Sequence, residues 1–327
     1  MTAVREPAVS TAVPSSPSAG SAAAAGGAGT TPPAGGYRRP QPVTPGQVAA
    51  RAIGASLLIL AGTALVFVGW VGLFSHLHYD KAQLNAYDAL RVELAEGTAP
   101  NGPTQANSSA LLPMGAPVAV LSIPAIKLRT VILQGTTGSV LEDGPGHLRD
   151  TVLPGQVGDS VIMGRQTAYG GPFGGLASLV PGDTITVVTG QAVSNYKVID
   201  LRRAGSPNPP ALASGAGRMT FVTADGAPLD PTGTLYVDAG ETSKPQVSPG
   251  VVLSQYLSPT ENAMATDSGA WLPMVLWGQL LVLVVGALSW LWTAWGRWQT
   301  WVIAVPAIGF LVLSISDQAT RLLPNLL

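Results

Sequence analysis

Three apolar stretches constrain this chain more than anything else in it. Ile53–Phe74, Leu272–Trp292 and Trp298–Ser316 contain no Asp, Glu, Lys or Arg. Each is close to the ~20 residues that a helix needs to cross about 30 Å of hydrocarbon. Charged residues make up only 11% of the chain and the mean hydropathy is +0.33, both wrong for a soluble protein of ordinary composition. Part of the chain therefore faces lipid. Trp271, Trp290, Trp292 and Trp295 flank the second stretch in the manner of interfacial aromatic belts. Pro306 interrupts the third, which a span packed against neighbours tolerates, with a re-entrant segment as the alternative. The expectation is about three transmembrane helices, at 52–74, 271–294 and 298–316. The long segment before the first, and the lack of a small-x-small cleavage site after Phe74, favour a retained anchor over a signal peptide. Arg38, Arg39 and Arg51 precede it, so the positive-inside rule places the N-terminus in the cytoplasm. Parity then puts the region between the first two spans outside, Arg297 inside, and 317–327 outside as an extracytoplasmic C-terminus. The expected location is the plasma membrane, multi-pass.

The remaining segments differ in texture. Residues 1–50 are Ala, Gly, Pro, Ser and Thr with few large apolar side chains, and read as a disordered cytoplasmic tail. Residues 76–115 read as a juxtamembrane helix and linker, with Leu84, Tyr87, Leu90 and Leu94 at helical spacing. Across 116–240 the pattern changes to seven short β-branched runs: VAVLSIP, TVILQG, GDSVIMG, DTITVVTG, NYKVIDL, MTFVTAD and TLYVDAG. Short strands at even spacing predict an all-β barrel or sandwich. Residues 241–270 lose that rhythm and read as a second linker.

The chemical inventory is thin. The chain has no Cys, which excludes disulfides, zinc–thiolate sites and a thiol nucleophile together. Its three histidines are His76 and His78 beside the first span, read as solvated, and His147 in the β region; they leave little for a metal site or a Ser-His-Asp relay. A net charge of −1 with 17 dispersed Lys+Arg offers no patch for nucleic acid. No metal and no cofactor are expected. Gly278, Gly286, Ala287 and Ala304 are small enough to let helices approach closely, which allows an oligomer through the spans.

Within the β region the order of local motifs resembles one family. PVAVLSIPAI (117–126), LEDGPGHL (141–148), LPGQVGDSVIMG (153–164), TAYGGPFGGL (167–176), LVPGDTITV (179–187) and RMTFVTAD (218–225) together resemble a sortase domain of the actinobacterial housekeeping type. That resemblance implies a membrane-anchored, eight-stranded β-barrel that grips a sorting peptide in a groove and transfers it through a thioester. Such chemistry uses a Cys nucleophile, a His for proton transfer and an Arg for the oxyanion. By the same resemblance the three positions fall on Ala224, Arg165 and Thr234. Misalignment cannot explain the first, because no register supplies a residue that the chain lacks. His147 falls in the family's Gly-Pro-Gly-His turn, a scaffold position. Thr223 and Ser160 offer hydroxyls without a demonstrable base, and Glu142 and Asp143 open a turn, where they are read as solvated and given no chemistry.

The reading is a catalytically inactive, sortase-like membrane protein that works as a binding or assembly subunit at the cell surface. Its expected groove is formed by Arg165, Tyr169, Phe173, Ala224 and Asp225, with an Arg165–Asp225 ion pair in place of the catalytic dyad. Expected partners are membrane lipid and a captured peptide or protein. Two alternatives stand beside this: a structural scaffold working through its helices, and a transpeptidase or hydrolase with a non-cysteine nucleophile.

Overall fold

The computed structural model describes residues 75–105, 108–228, 230–294 and 297–327, with a few positions before these (46, 61–62 and 65–69). The 1–50 tail lies outside the described residues apart from Gly46, and most of the 52–74 span does too.

Helix α1, Ser75–Glu96, leads into the barrel. Leu90 is fully buried, and Tyr87 and Leu94 pack beside it against Val131, Leu133 and Val140, whereas Leu84 is exposed and is not part of the packing face. The strands follow as β1 (Pro117–Ile123), β2 (Leu128–Gln134), then a short helix α2 (Gly138–Asp143), β3 (Gly146–His147), β4 (Gly158–Met163), β5 (Thr184–Val188), β6 (Val193–Arg203), β7 (Gly217–Ala227) and β8 (Asp230–Glu241). They close into a barrel in the order β1-β2-β3-β4-β7-β8-β6-β5. β2–β3 and β4–β7 pair in parallel and the other neighbours antiparallel. Closure on one side runs through β3 alone, which pairs only with Leu133–Gln134 of β2 and Ile162–Met163 of β4.

Side-chain alternation sets the layers. On β6, Ser194, Tyr196 and Val198 are buried while Val193, Asn195 and Lys197 are exposed, the period of two expected of a strand with one face in the core. The barrel interior is filled by Leu121, Ile123, Ile132, Ile162, Phe173, Ile185, Met219, Phe221 and Val237, among others. β7 breaks the alternation: Met219 through Ala224 are all buried, so this strand is covered on its outer face as well.

Beyond the barrel the structure corrects three expectations. The segment expected as a linker at 241–270 is packed onto the barrel: Gln246 bridges Gln156, and Glu261 is buried and ion-paired with Arg149, whose Nε donates at 2.8 Å. A capping box at Ser258 and Glu261 fixes the turn that carries the carboxylate. Helices α3 (Trp271–Ala294) and α4 (Arg297–Leu322) then form an antiparallel hairpin. Among the described residues these two helices, not three, are long and apolar enough to cross a membrane. α4 continues past Ser316 to Leu322, and its end returns to the barrel, where the Asp267 amide donates to the Arg321 carbonyl. Residues 323–327, expected only as an extracytoplasmic end, are docked as well, with Leu326 and Leu327 buried.

Candidate functional site

The outer face of β4, β7 and β8 carries Arg165, Ala224 and Thr234, the residues that the motif order aligns with the family's three catalytic positions. Parallel pairing sets Met163 beside Val222, and the Gly164 amide donates to the Val222 carbonyl at 3.0 Å, so continuing two residues along each strand brings Arg165 next to Ala224. Antiparallel pairing sets Ala224 opposite Thr234. The positions inferred from motif order thus converge on one spot, and all three side chains are buried there.

Arg165 turns away from Ala224. Its Nε donates to the Leu141 carbonyl at 3.2 Å and its Nη2 to the Gly138 carbonyl at 3.0 Å, while the guanidinium lies 4.8 Å from the centre of the Tyr169 ring. The expected pair with Asp225 is absent. The carboxylate facing Arg165 is Glu142, at 3.7 Å, and Asp225 instead accepts from Arg203 Nε at 2.9 Å. The cause is strand alternation: Asp225 is one residue beyond Ala224 and leaves β7 on the opposite side. Glu142 is correspondingly buried rather than solvated, and its Oε1 also lies 3.8 Å from Arg321 Nε of α4. Burial pushes its carboxyl up to about 7 against the pull of Arg165, then Arg321. Burial also lowers the Arg165 pKa, but a guanidinium starts too high to exchange protons near neutrality. Arg165 is therefore a cation that cannot act as a base.

Neither Tyr169 nor Phe173 lines an open groove, as had been expected. Tyr169 adopts φ +49°, at the start of a left-handed run with Gly170 and Gly171. Its hydroxyl lies 3.0 Å from the Thr320 hydroxyl of α4, its ring meets His78 edge-on, and Phe67 packs nearby. Burial, then Glu142, pushes its phenol up to about 12. After this turn Phe173 drops back into the barrel and packs edge-on against Phe221. Its ring crosses Gly164 so closely that a Cβ there would come within 2.5 Å of it, which explains the glycine.

Among the described residues, the hydroxyls of Ser160 and Thr223 are not paired with a base. Ser160 and Thr223 point inward, are buried, and make no hydrogen bond through their hydroxyls. His147 Nδ1 lies 3.0 Å from Gln134 Oε1, and its Nε2 reaches both the Val152 carbonyl at 2.9 Å and the Thr151 hydroxyl at 3.2 Å. Burial pushes this imidazole down to about 4, so it is neutral and structural at physiological pH. His78 is paired with Asp143 at 2.8 Å. Among the described residues no cluster of His, Asp or Glu is arranged to hold a metal.

Below the sealed end the same face opens into a cleft of about 550 Å³, walled by the β6–β7 loop at Ser206, Asn208 and Pro209. Its arginines each carry a carboxylate: Arg202 with Asp238, Arg218 with Asp159 at 2.8 Å, and Arg203 with Asp225. Thr220 Oγ1 donates to Asp238 at 2.9 Å, with Asp159 at 3.1 Å, and Arg202 stacks on Tyr236 at 5.0 Å. Sequence reasoning missed this network. Its signal was the Arg202–Arg203 pair ending an otherwise alternating strand, together with Asp238 set inside the Leu–x–Val–x–Ala run of β8.

Residues 121–228 match the profile of the sortase domain. The barrel is a sortase domain. Among solved structures, a Clostridium perfringens sortase D5 transpeptidase is similar at 21% identity, over 49% of this chain and 98% of that one, with a TM-score of 0.40. Sortase C-1 from Actinomyces oris shares 28% identity over 39% of this chain and 75% of its own, at a TM-score of 0.34. A lid mutant of sortase A from Corynebacterium diphtheriae shares 22% over 50% and 95%, at 0.35. No curated protein matches the chain. The family's chemistry is usually that of a cysteine transpeptidase, and this chain contains no cysteine.

Proposed function

We propose that this protein is a non-catalytic sortase-domain subunit of the cell membrane, held there by the α3–α4 hairpin and by the 52–74 segment, which captures an extended segment of a partner at the cell surface. One observation carries the reading: Ala224 is 1% exposed, with a methyl where a thiolate is needed and the Arg165 guanidinium fastened to backbone carbonyls beside it. A site without a nucleophile or a base cannot form or resolve a thioester. What survives is the cleft, whose walls are pre-organised and whose charges are matched, three arginines to three aspartates. A neutral, extended peptide suits such a surface better than an anion does.

The scaffold reading keeps one supporting observation, the docking of 323–327 onto the barrel, because it ties the domain rigidly to the hairpin. Photocrosslinking separates the two. A photoreactive residue at Ser206, in the loop walling the cleft, should capture a defined partner in native membranes, and Tyr236→Ala should abolish that capture. Labelling of lipid alone, unchanged by Tyr236→Ala, would move the function to the helices.

A further inference from the structure

The segment after α4 covers the strand ends at Ala224 and Arg165. Leu326 and Leu327 join Met163, Val222, Ala224 and Leu141 in one buried cluster, with Leu323 and Tyr236 packed at its margin. The main chain is engaged as well as the side chains. The Gln166 amide, next to Arg165, donates to the Leu326 carbonyl at 2.8 Å, which is the type of bond that adds a strand to an exposed edge. Asn325 Nδ2 is shared between the Thr136 carbonyl at 3.1 Å and the Asn262 carbonyl at 2.9 Å, and the Asn325 amide donates to Ala265. Thr136, Gln166 and Asn262 come from three separate parts of the fold, so the segment is read by a built site and not by general adhesion.

We propose that Leu323–Leu327 is a tethered ligand of this groove, and that the site recognises a short extended peptide with an Asn followed by two leucines. The inference rests on the binding reading above and names the chemistry that the sealed end selects. Two leucines cover the apolar patch at Val222 and Ala224, one peptide carbonyl meets Gln166, and one side-chain amide satisfies the two backbone carbonyls. Deleting the tether exposes a site that a free peptide of the same sequence fills. With the tether present, the local concentration of the segment is on the order of millimolar, so a free peptide competes poorly.

The test uses the full chain in lipid nanodiscs, with and without residues 323–327, and a fluorescent Leu-Pro-Asn-Leu-Leu peptide followed by anisotropy. Saturable binding to the shortened chain, at least about tenfold weaker in the intact chain, is the expected result. An Asn→Ala peptide should bind about tenfold more weakly, which distinguishes the site from partition into lipid. A shortened chain that still melts cooperatively but binds no peptide overturns the proposal. If the deletion prevents folding, a single Leu326→Cys in the intact chain, which has no other thiol, gives the answer by its rate of maleimide labelling. Strong protection relative to the denatured chain supports docking, and labelling at the denatured rate overturns it. Peptide binding with no capture at Ser206 would keep this inference and discard the partner reading; capture without peptide binding would do the reverse.

Discussion

At the upper end of the β4–β7–β8 face, Val222 and Ala224 lie beneath Leu326 and Leu327; two residues lower on the same strands, Thr220 shares its hydroxyl between Asp238 and Asp159 in an open cleft. The strands, their register and their alternation are common to both ends. What differs is the side chain presented, and with it the kind of cover required. Apolar groups on an outer face must be covered by other apolar groups, whereas Thr220 and Asp238, buried at the floor of the cleft, are satisfied by pairing with Arg202 and with each other. With Val222 and Ala224 on its surface, this end is apolar enough to need a cover, and residues 323–327 supply one.

The sharpest way to break the contrast is to place a charge under the lid. Leu326→Asp should cost more than about 4 kcal/mol, because an unpaired carboxylate would be buried, and Leu326→Ala about 2–5 kcal/mol, both read by thermal or chemical unfolding. Ser206→Asp in the open cleft should stay within about 0.5 kcal/mol. A similar cost at both places would erase the distinction.

Two buried titratable groups give opposite pH responses. Glu142 has its pKa raised in the folded state to about 7, so the native state holds the extra proton and its contribution to stability falls as pH rises from about 4.5 to about 7. Glu142→Gln should remove a slope worth about 3 kcal/mol over that window. His147 is depressed to about 4, so its contribution is complete above about 6.5 and is lost as pH falls towards 4. His147→Gln should remove a slope of similar size and opposite sign. Unfolding free energies of the two variants between pH 4 and 8, each subtracted from the parent, check both signs.

Smaller effects close the series. Arg203→Ala should change stability by less than about 1 kcal/mol, since its side chain is 66% exposed and the pair with Asp225 is screened, while Arg202→Ala, which strands the buried Asp238, should cost about 3 kcal/mol or more. Ala224→Cys should yield no thioester with any sorting peptide by intact-mass analysis, because Arg165 gives the new thiol no base. A stable acyl adduct would show that the site had lost only its nucleophile.

Seven strands were legible because each is a run of β-branched residues long enough to show a period. β3 was not, since Gly146 and His147 are too few to carry one. That residues 165, 224 and 234 lie together was legible through ordered motifs. Their surroundings were not: Glu142 reads locally as a turn acid, and nothing in its neighbourhood announces Arg321, which arrives from the far end of a helical hairpin. Phe173 was misplaced because the left-handed turn at 169–171, which sends its ring inward, depends partly on a tyrosine in a conformation that tyrosine rarely adopts. The docking of 323–327 had no local signature, being made only by contacts distant in sequence.

That distance has a consequence for how the molecule is made. Strands β4 and β7 leave the ribosome roughly 160 and roughly 100 residues before Leu326, and contacts of such separation form late. The barrel can close while its outer face is still bare, and that face stays adhesive throughout synthesis of the two apolar helices. Residues 323–327 can cover that face only once the hairpin has returned the end of α4 to it.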